Sequence, residues 1–189
     1  VLKLNPAPNV VFWNALISGY VRNGFCEEAL ECFQHMREEG ICPNAITYIS
    51  VLKACGMTGS LDLGQAIAAE VKTQGLLHKN IALGTAMLDM YFKCFAVEKA
   101  REVFEHLPMQ NVFSWTALIS GYVEHGLGHD ALKCFRKMQN EGIRPNIVTY
   151  ICALKACGIV RCLEVGEVIE AEVRKQELLQ KDVLLGTAL

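Results

Sequence analysis

A block of 32 residues occurs twice in this chain and constrains its fold more than any other feature. The first copy runs from Trp13 to Asn44 (WNALISGYVRNGFCEEALECFQHMREEGICPN), and the second runs from Trp115 to Asn146 (WTALISGYVEHGLGHDALKCFRKMQNEGIRPN). The offset of 102 residues holds without insertion, and the flanking segments ITYISVLKACG and VTYICALKACG, and LGTAM and LGTAL, recur at the same distance. Self-similarity of this kind is typical of a repeat array, in which each repeat packs on its neighbours.

Glycine and proline divide this period into three repeats of 35, 36 and 31 residues. Each repeat contains two apolar stripes at helical spacing, separated in the first two repeats by Gly24 and Gly59, which predicts a pair of helices. The predicted repeats span residues 10–44, 45–80, 81–111, 112–146 and 147–182, with the end of a preceding repeat at 1–9 and the start of a truncated one at 183–189. Since no strand signal is present, the pattern predicts an all-α chain stacked as an α-solenoid with a concave face.

Composition excludes several classes of function. Although 52% of the residues are hydrophobic, no stretch approaches the roughly 18 consecutive apolar residues of a membrane span. The net charge of −2 gives no basic excess for non-specific nucleic-acid binding, so any such role must depend on a local groove. The nine cysteines include no CxxC pair, and we interpret them as packing residues in a reducing compartment. No targeting sequence is visible, and we expect the chain to be a segment of a longer array.

Motifs for catalysis are absent from the sequence. It contains no GxxxxGK, GxGxxG or GxSxG motif, and it lacks the His-x-Glu and Pro-Cys-x-x-Cys halves of a zinc deaminase. His125 and His129 lie beside Gly126 and Gly128, and we interpret them as exposed turn residues rather than metal ligands. We therefore expect no catalytic residue, metal, cofactor or small-molecule substrate in this segment, and any deaminase would lie outside it or on a partner.

The repeats resemble the PLS class of pentatricopeptide repeat (PPR) proteins of land plants. The 35-residue P-type repeat is matched by WNALISGY and WTALISGY, EEALECF and HDALKCF, and GICPN and GIRPN. YISVLKACG and YICALKACG match the 36-residue L type, and LGTAMLDMYFKC and AREVFEHLP match the 31-residue S type, with Phe95 where glycine is usual. The resemblance makes 10–44 and 112–146 P-type, 45–80 and 147–182 L-type, and 81–111 S-type, with parts of S-type repeats at 1–9 and 183–189.

This resemblance implies a right-handed superhelix that binds single-stranded RNA sequence-specifically in mitochondria or chloroplasts. It further implies the recognition part of a C-to-U RNA editing or RNA-processing factor, with editing-complex proteins as further partners.

The first helix of each repeat presents positions 2, 5, 9 and 13 on one stripe, because steps of three and four share a helix face. The resemblance implies that position 5 reads a base together with the last residue of the repeat, and that position-2 residues clamp that base. The implied recognition pairs are Asn14 with Asn44, Thr85 with Asn111, and Thr116 with Asn146. The implied clamps are Val11, Ile46, Ala82, Phe113 and Val148. The candidate phosphate contacts are Arg22, Lys53, Lys93 and Lys155.

In the family, the pair Asn/Asn reads a pyrimidine and the pair Thr/Asn reads adenine. The L-type repeats offer Ile49 with Asn80 and Ile151 with Asp182, and we assign them no base because isoleucine cannot hydrogen-bond. With the chain running N to C along RNA 5′ to 3′, the five complete repeats predict the sequence pyrimidine-any-A-A-any.

Simpler interpretations remain open for these residues. An Asn or Asp precedes each predicted first helix, and N-capping alone would explain Asn9, Asn44, Asn80, Asn111, Asn146 and Asp182. The two tryptophans fit packing better than base stacking, and the cationic residues fit an ordinary solvated surface. A tetratricopeptide-like scaffold for peptides or proteins shares the paired-helix design, but its period stays near about 34 residues, which the 35/36/31 cycle disfavours.

Overall fold

The computed structural model describes residues 9–186, with side chains over 9–175, and the predicted all-α class is confirmed. Ten α-helices and one 3₁₀ turn occur within these residues, and no strand is present among them. None of the helices described is both long and apolar enough to cross a membrane. The chain forms two compact units, Val1–Met109 and Gln110–Leu189. The predicted partial repeats at 1–9 and 183–189 lie largely or partly outside the described residues.

The N-terminal unit consists of three helix pairs. They are α1 (Val10–Arg22) with α2 (Cys26–Glu38), α3 (Ala45–Thr58) with α4 (Leu61–Thr73), and α5 (Ile81–Lys93) with α6 (Val97–Glu105). The 3₁₀ turn Leu76–His78 precedes α5. Helices α1, α3 and α5 pack side by side as one layer, and each also contacts the second helix of its own pair. The first helices begin at residues 10, 45 and 81, which are the predicted starts of the repeats.

The C-terminal unit repeats this arrangement with α7 (Val112–Glu124), α8 (Gly128–Asn140), α9 (Ile147–Val160) and α10 (Leu163–Gly186). Helix α7 packs on α8 and α9, and α9 also packs on α8 and α10. Both first helices again begin at predicted starts, residues 112 and 147.

The structure differs from the sequence prediction along α10. In the N-terminal unit, helix α4 ends at Thr73, and Gly75 follows with a φ of 64°, in the left-handed region. The residue 102 positions later is Glu177, a good helix former, and α10 continues as one helix of 24 residues. Asp182, which was predicted to cap a new helix, therefore lies inside α10, and this prediction is wrong.

The apolar stripes form the core of each unit. Trp13 is 6% exposed and Trp115 is fully buried, so the packing interpretation of both tryptophans is confirmed. Cys55 and Cys157 are also buried within helices, as their apolar context predicted, but Cys42 is exposed, so the packing interpretation is wrong for that cysteine.

Candidate nucleic-acid interface

Five asparagines cap the first helices, each through its side-chain oxygen. The oxygen Oδ1 of Asn44 accepts from the backbone N–H groups of Ile46 at 3.0 Å and Thr47 at 3.2 Å. The same role is filled by Asn9, Asn80, Asn111 and Asn146 at the other four first helices. The predicted N-caps are therefore confirmed at these five positions, where they satisfy N–H groups that a helix start leaves free.

Three of the caps are closed by a hydroxyl residue that the sequence analysis overlooked. The hydroxyl oxygens of Thr47, Ser114 and Thr149 accept the backbone N–H of the capping asparagine at 3.1, 3.0 and 3.2 Å. All three residues are fully buried. The signal was present as Asn-x-x-Thr or Asn-x-x-Ser, the spacing of a reciprocal capping box.

The first predicted recognition pair, Asn14 and Asn44, is brought into direct contact. Asn14 Nδ2 donates to Asn44 Oδ1 at 3.2 Å, and Asn14 Oδ1 accepts from the Thr47 hydroxyl at 2.6 Å. Asn14 is only 8% exposed. The pair is thus part of a buried polar cluster at the junction of α1 and α3.

The second pair, Thr116 and Asn146, is joined through an intermediate residue. The hydroxyl of Thr116 lies 2.7 Å from that of Thr149, which donates to Asn146 Oδ1 at 2.9 Å. The hydroxyl of Thr116 carries one hydrogen, which it can donate either to Thr149 or to the backbone carbonyl of Val112 at 2.6 Å, one turn earlier in α7. Thr116 therefore has two alternative acceptors, only one of which belongs to the cluster.

The third pair is divided between the units, since Thr85 belongs to the N-terminal unit and Asn111 to the C-terminal unit. The Thr85 hydroxyl oxygen is buried and forms no hydrogen bond with any residue that the structure describes. The hydroxyl of Thr116, by contrast, is within hydrogen-bond distance of Thr149 and of the Val112 carbonyl.

The capping geometry leaves one half of each asparagine side chain unused. An asparagine carries an acceptor oxygen and two amide hydrogens on Nδ2. In Asn44, Asn111 and Asn146 the oxygen accepts helix N–H groups, whereas Nδ2 forms no hydrogen bond within residues 9–175. All three side chains are half-buried. Capping and ligand recognition are therefore compatible, because they use different atoms.

The candidate clamps are exposed apolar side chains at the second residue of each first helix. Val11, Ile46, Phe113 and Val148 are 69%, 58%, 66% and 50% exposed, and Ala82 is exposed as well. At four of the five positions the backbone N–H is bonded to the capping asparagine, which fixes the start of the helix beneath the side chain. Ile46, Phe113 and Val148 therefore stand next to an asparagine that is predicted to read a base.

The candidate phosphate contacts fall into two groups. Arg22, Lys53 and Lys155 are exposed and form no ion pair within the described part of the chain. Lys93 Nζ instead bonds Asp89 Oδ2 at 2.8 Å, one turn earlier on α5. The Asp89 carboxylate offsets the charge of Lys93 and makes it the weakest of the four candidates.

Residues 8–57 and 110–158 match the PPR repeat family, and residues 85–112 match the PPR repeat. The chain belongs to the pentatricopeptide repeat family. Among its curated relatives, pentatricopeptide repeat-containing protein At4g16470 of Arabidopsis thaliana is 42% identical over 149 residues, covering 79% of this chain and 30% of the relative. The chloroplastic protein At4g18520 of the same plant is 36% identical over 181 residues, covering 96% and 29%. This PPR chain thus spans less than a third of the length of these relatives.

Solved PPR structures share the fold. The crystal structure of PPR10 in complex with an 18-nt psaJ RNA element aligns with a TM-score of 0.73 and 19% identity, covering 90% of this chain and 26% of that one. The PPR domain of Arabidopsis thaliana protein-only RNase P 1, in complex with tRNA, aligns with a TM-score of 0.66 and 15% identity, covering 91% and 97%. Both are PPR repeat proteins, so the α-solenoid fold class is confirmed.

Proposed function

We propose that this PPR chain binds single-stranded RNA sequence-specifically, with one nucleotide per repeat. The proposal rests on the amide Nδ2 of Asn44, Asn111 and Asn146, which forms no hydrogen bond within residues 9–175 and lies beside exposed position-2 residues. An amide donor can bond an acceptor on the edge of an unpaired base, while the neighbouring apolar side chains cover the face of that base. Structural neighbours of the chain were solved with RNA bound, which supports the same ligand class.

The two P-type repeats support a specificity role for position 5. Asn14 and Thr116 occupy equivalent places, 102 residues apart, and their partners Asn44 and Thr47 are matched by Asn146 and Thr149. The position-5 side chain is therefore the member of the cluster that changes between the repeats. We assign a pyrimidine to the repeat of Asn14 with Asn44, and adenine to the repeats of Thr85 with Asn111 and of Thr116 with Asn146.

The full proposal is the sequence pyrimidine-any-A-A-any, clamped by the exposed position-2 residues. Phe113 is the strongest clamp because its ring can stack on a base, an interaction worth about 1–3 kcal/mol. With a net charge of −2, few phosphate contacts are expected, so affinity should be modest and depend weakly on salt.

We also propose that the chain is a segment of a PLS-class protein acting in a mitochondrion or chloroplast. The alternating 35, 36 and 31-residue repeats support the class. Relatives designated chloroplastic and mitochondrial support the location. In this proposal the segment selects the RNA for C-to-U editing or processing, and a domain outside it or an editing-complex partner carries out the chemistry.

A reciprocal swap tests the assignment of bases. Binding is measured by fluorescence anisotropy to single-stranded RNAs that differ at one nucleotide, for the natural chain, Thr116→Asn and Asn14→Thr. Thr116→Asn should shift the preference at the fourth nucleotide from adenine towards a pyrimidine. Asn14→Thr should shift the first nucleotide from a pyrimidine towards adenine, and the other positions should not change.

The matched control is Ile151→Val, because Ile151 occupies position 5 of an L-type repeat to which no base is assigned. If neither swap changes a base preference, the assignment of position 5 is wrong. If the chain binds peptides but no RNA better than a random pool, the scaffold interpretation replaces the proposal.

A further inference from the structure

The second helices of the two P-type repeats line grooves of opposite charge. In the C-terminal unit, a groove of about 780 Å³ lies between α8 and the start of α10, beside the end of α9. Four cationic side chains line it, Lys133, Arg136, Lys137 and Arg161. Its described lining contains no carboxylate.

The equivalent groove of the N-terminal unit, between α2 and α4, has about 580 Å³ and contains the carboxylates of Glu31 and Glu38. The one cation in its described lining, Arg37, is paired with Glu70, with 3.5 Å between Nη1 and Oε2. The difference arises at matched positions, because Glu31 and Gln34 correspond to Lys133 and Arg136 at the 102-residue offset. The fold is the same at both places, so the charge reversal reflects the choice of side chains.

Most of the positive charge in the C-terminal groove is not neutralised internally. Lys133, Arg136 and Arg161 are exposed and form no ion pair with any residue in the described range. Lys137 is shared, since its Nζ lies 3.8 Å from Glu141 Oε1 and 5.7 Å from the centre of the Trp115 ring. The carboxylates of α8 and α10 lie outside the groove lining, and those nearest in sequence to the lining residues are Asp130, Glu164 and Glu167. Clustered like charges beside a low-dielectric wall concentrate the local field and attract anions.

Arg161 occupies a strained position at the edge of this groove. It follows the last residue of α9 with φ of 53°, in the left-handed region that favours glycine. The equivalent residue of the N-terminal unit is Gly59, with φ of 71°. An arginine therefore stands where glycine would be more stable, and such strained residues often occur at functional sites.

We propose that the groove between α8 and α10 binds an acidic amphipathic segment of a partner protein. Its cationic side chains complement carboxylates, and its apolar lining by Leu132, Val160 and Val165 accommodates aliphatic side chains. Its described lining contains no tryptophan, tyrosine or phenylalanine, and His129 is the one ring in it, so the groove offers little of the stacking surface that single-stranded RNA uses. The candidate RNA-binding residues lie on the first helices α7 and α9, so a partner on this groove would leave them free.

The test measures anisotropy of a fluorescent helical peptide with leucines at helical spacing and glutamates elsewhere. The control peptide carries lysine in place of every glutamate. The natural chain should bind the acidic peptide and not the basic one, and added salt should weaken the binding. The double variant Lys133→Glu, Arg136→Gln restores the residues of the N-terminal repeat and should weaken binding by about tenfold or more. The reverse pair, Glu31→Lys with Gln34→Arg, should add a second acidic-peptide site.

Arg161→Gly separates binding from folding. It should weaken acidic-peptide binding severalfold while raising the urea midpoint, because glycine relieves the positive φ.

Unchanged peptide binding in both the double variant Lys133→Glu, Arg136→Gln and the variant Arg161→Gly would overturn the proposal. So would two other results. In one, the groove variants weaken binding of single-stranded oligouridine as much as that of the peptide. In the other, the natural chain self-associates in sedimentation velocity and the double variant abolishes this association.

Discussion

Replacing Thr47 with valine tests the buried polar cluster at the first predicted base site. The change keeps the shape of the side chain and removes a hydroxyl that is fully buried. That hydroxyl donates to Asn14 Oδ1 at 2.6 Å and accepts the N–H of Asn44 at 3.1 Å. Its loss removes two hydrogen bonds worth about 1 kcal/mol each and leaves a buried acceptor without its donor. We expect the free energy of unfolding to fall by about 2–4 kcal/mol.

The matched change in the C-terminal unit, Thr149→Val, should be milder. Thr116 keeps its bond to the carbonyl of Val112, and Asn146 Oδ1 keeps the N–H of residue 149 at 2.9 Å. We expect a loss of about 1–2 kcal/mol, because the cap N–H is the main group left unpaired. Urea unfolding followed by far-UV circular dichroism gives both values. Equal losses, or a smaller loss for Thr47→Val than for Thr149→Val, would refute the assigned network.

Three further predictions concern packing, backbone strain and thiol reactivity. Gly128→Ala should lower the free energy of unfolding by about 1–3 kcal/mol, because the added Cβ would lie 2.8 Å from a side-chain atom of α9. The control Gly166→Ala meets its nearest atom at 3.8 Å and should be neutral or stabilising in the same urea assay. Phe95→Gly should raise the urea midpoint by relieving φ of 58°, at a gain of about 1 kcal/mol. Burial raises the pKa of the Cys55 thiol to about 12, so the thiol stays protonated below that pH. Cys55 should therefore react with a thiol reagent only after the chain unfolds. The exposed thiol of Cys42 should react in the native chain.

The starts of the first helices could be predicted from the sequence, because local signals set them. Asparagine caps and glycine turns act within a few residues, so the starts of five first helices were found at the correct positions. The same dependence on local signals explains the error at Asp182. There the loss of one glycine, replaced by Glu177, allowed α10 to continue past the expected boundary.

Contacts between helices could not be predicted in the same way. The bond between Asn14 and Thr47 joins residues 33 positions apart, and it depends on how α1 packs against α3. The basic groove was missed for a similar reason. Its cations come from α8 and from the turn before α10, and only the packing of both helices on α9 brings Lys133 and Arg161 to one surface.

Selection from a randomised single-stranded RNA pool tests whether the chain reads bases in the proposed order. The natural chain is incubated with the pool, and the bound RNAs are sequenced. We expect enrichment of pyrimidine-any-A-A-any, with the two adenines lost when Thr85 and Thr116 are both changed to asparagine. A bound pool without positional enrichment, or an enriched sequence that these two changes leave intact, would contradict the proposed order.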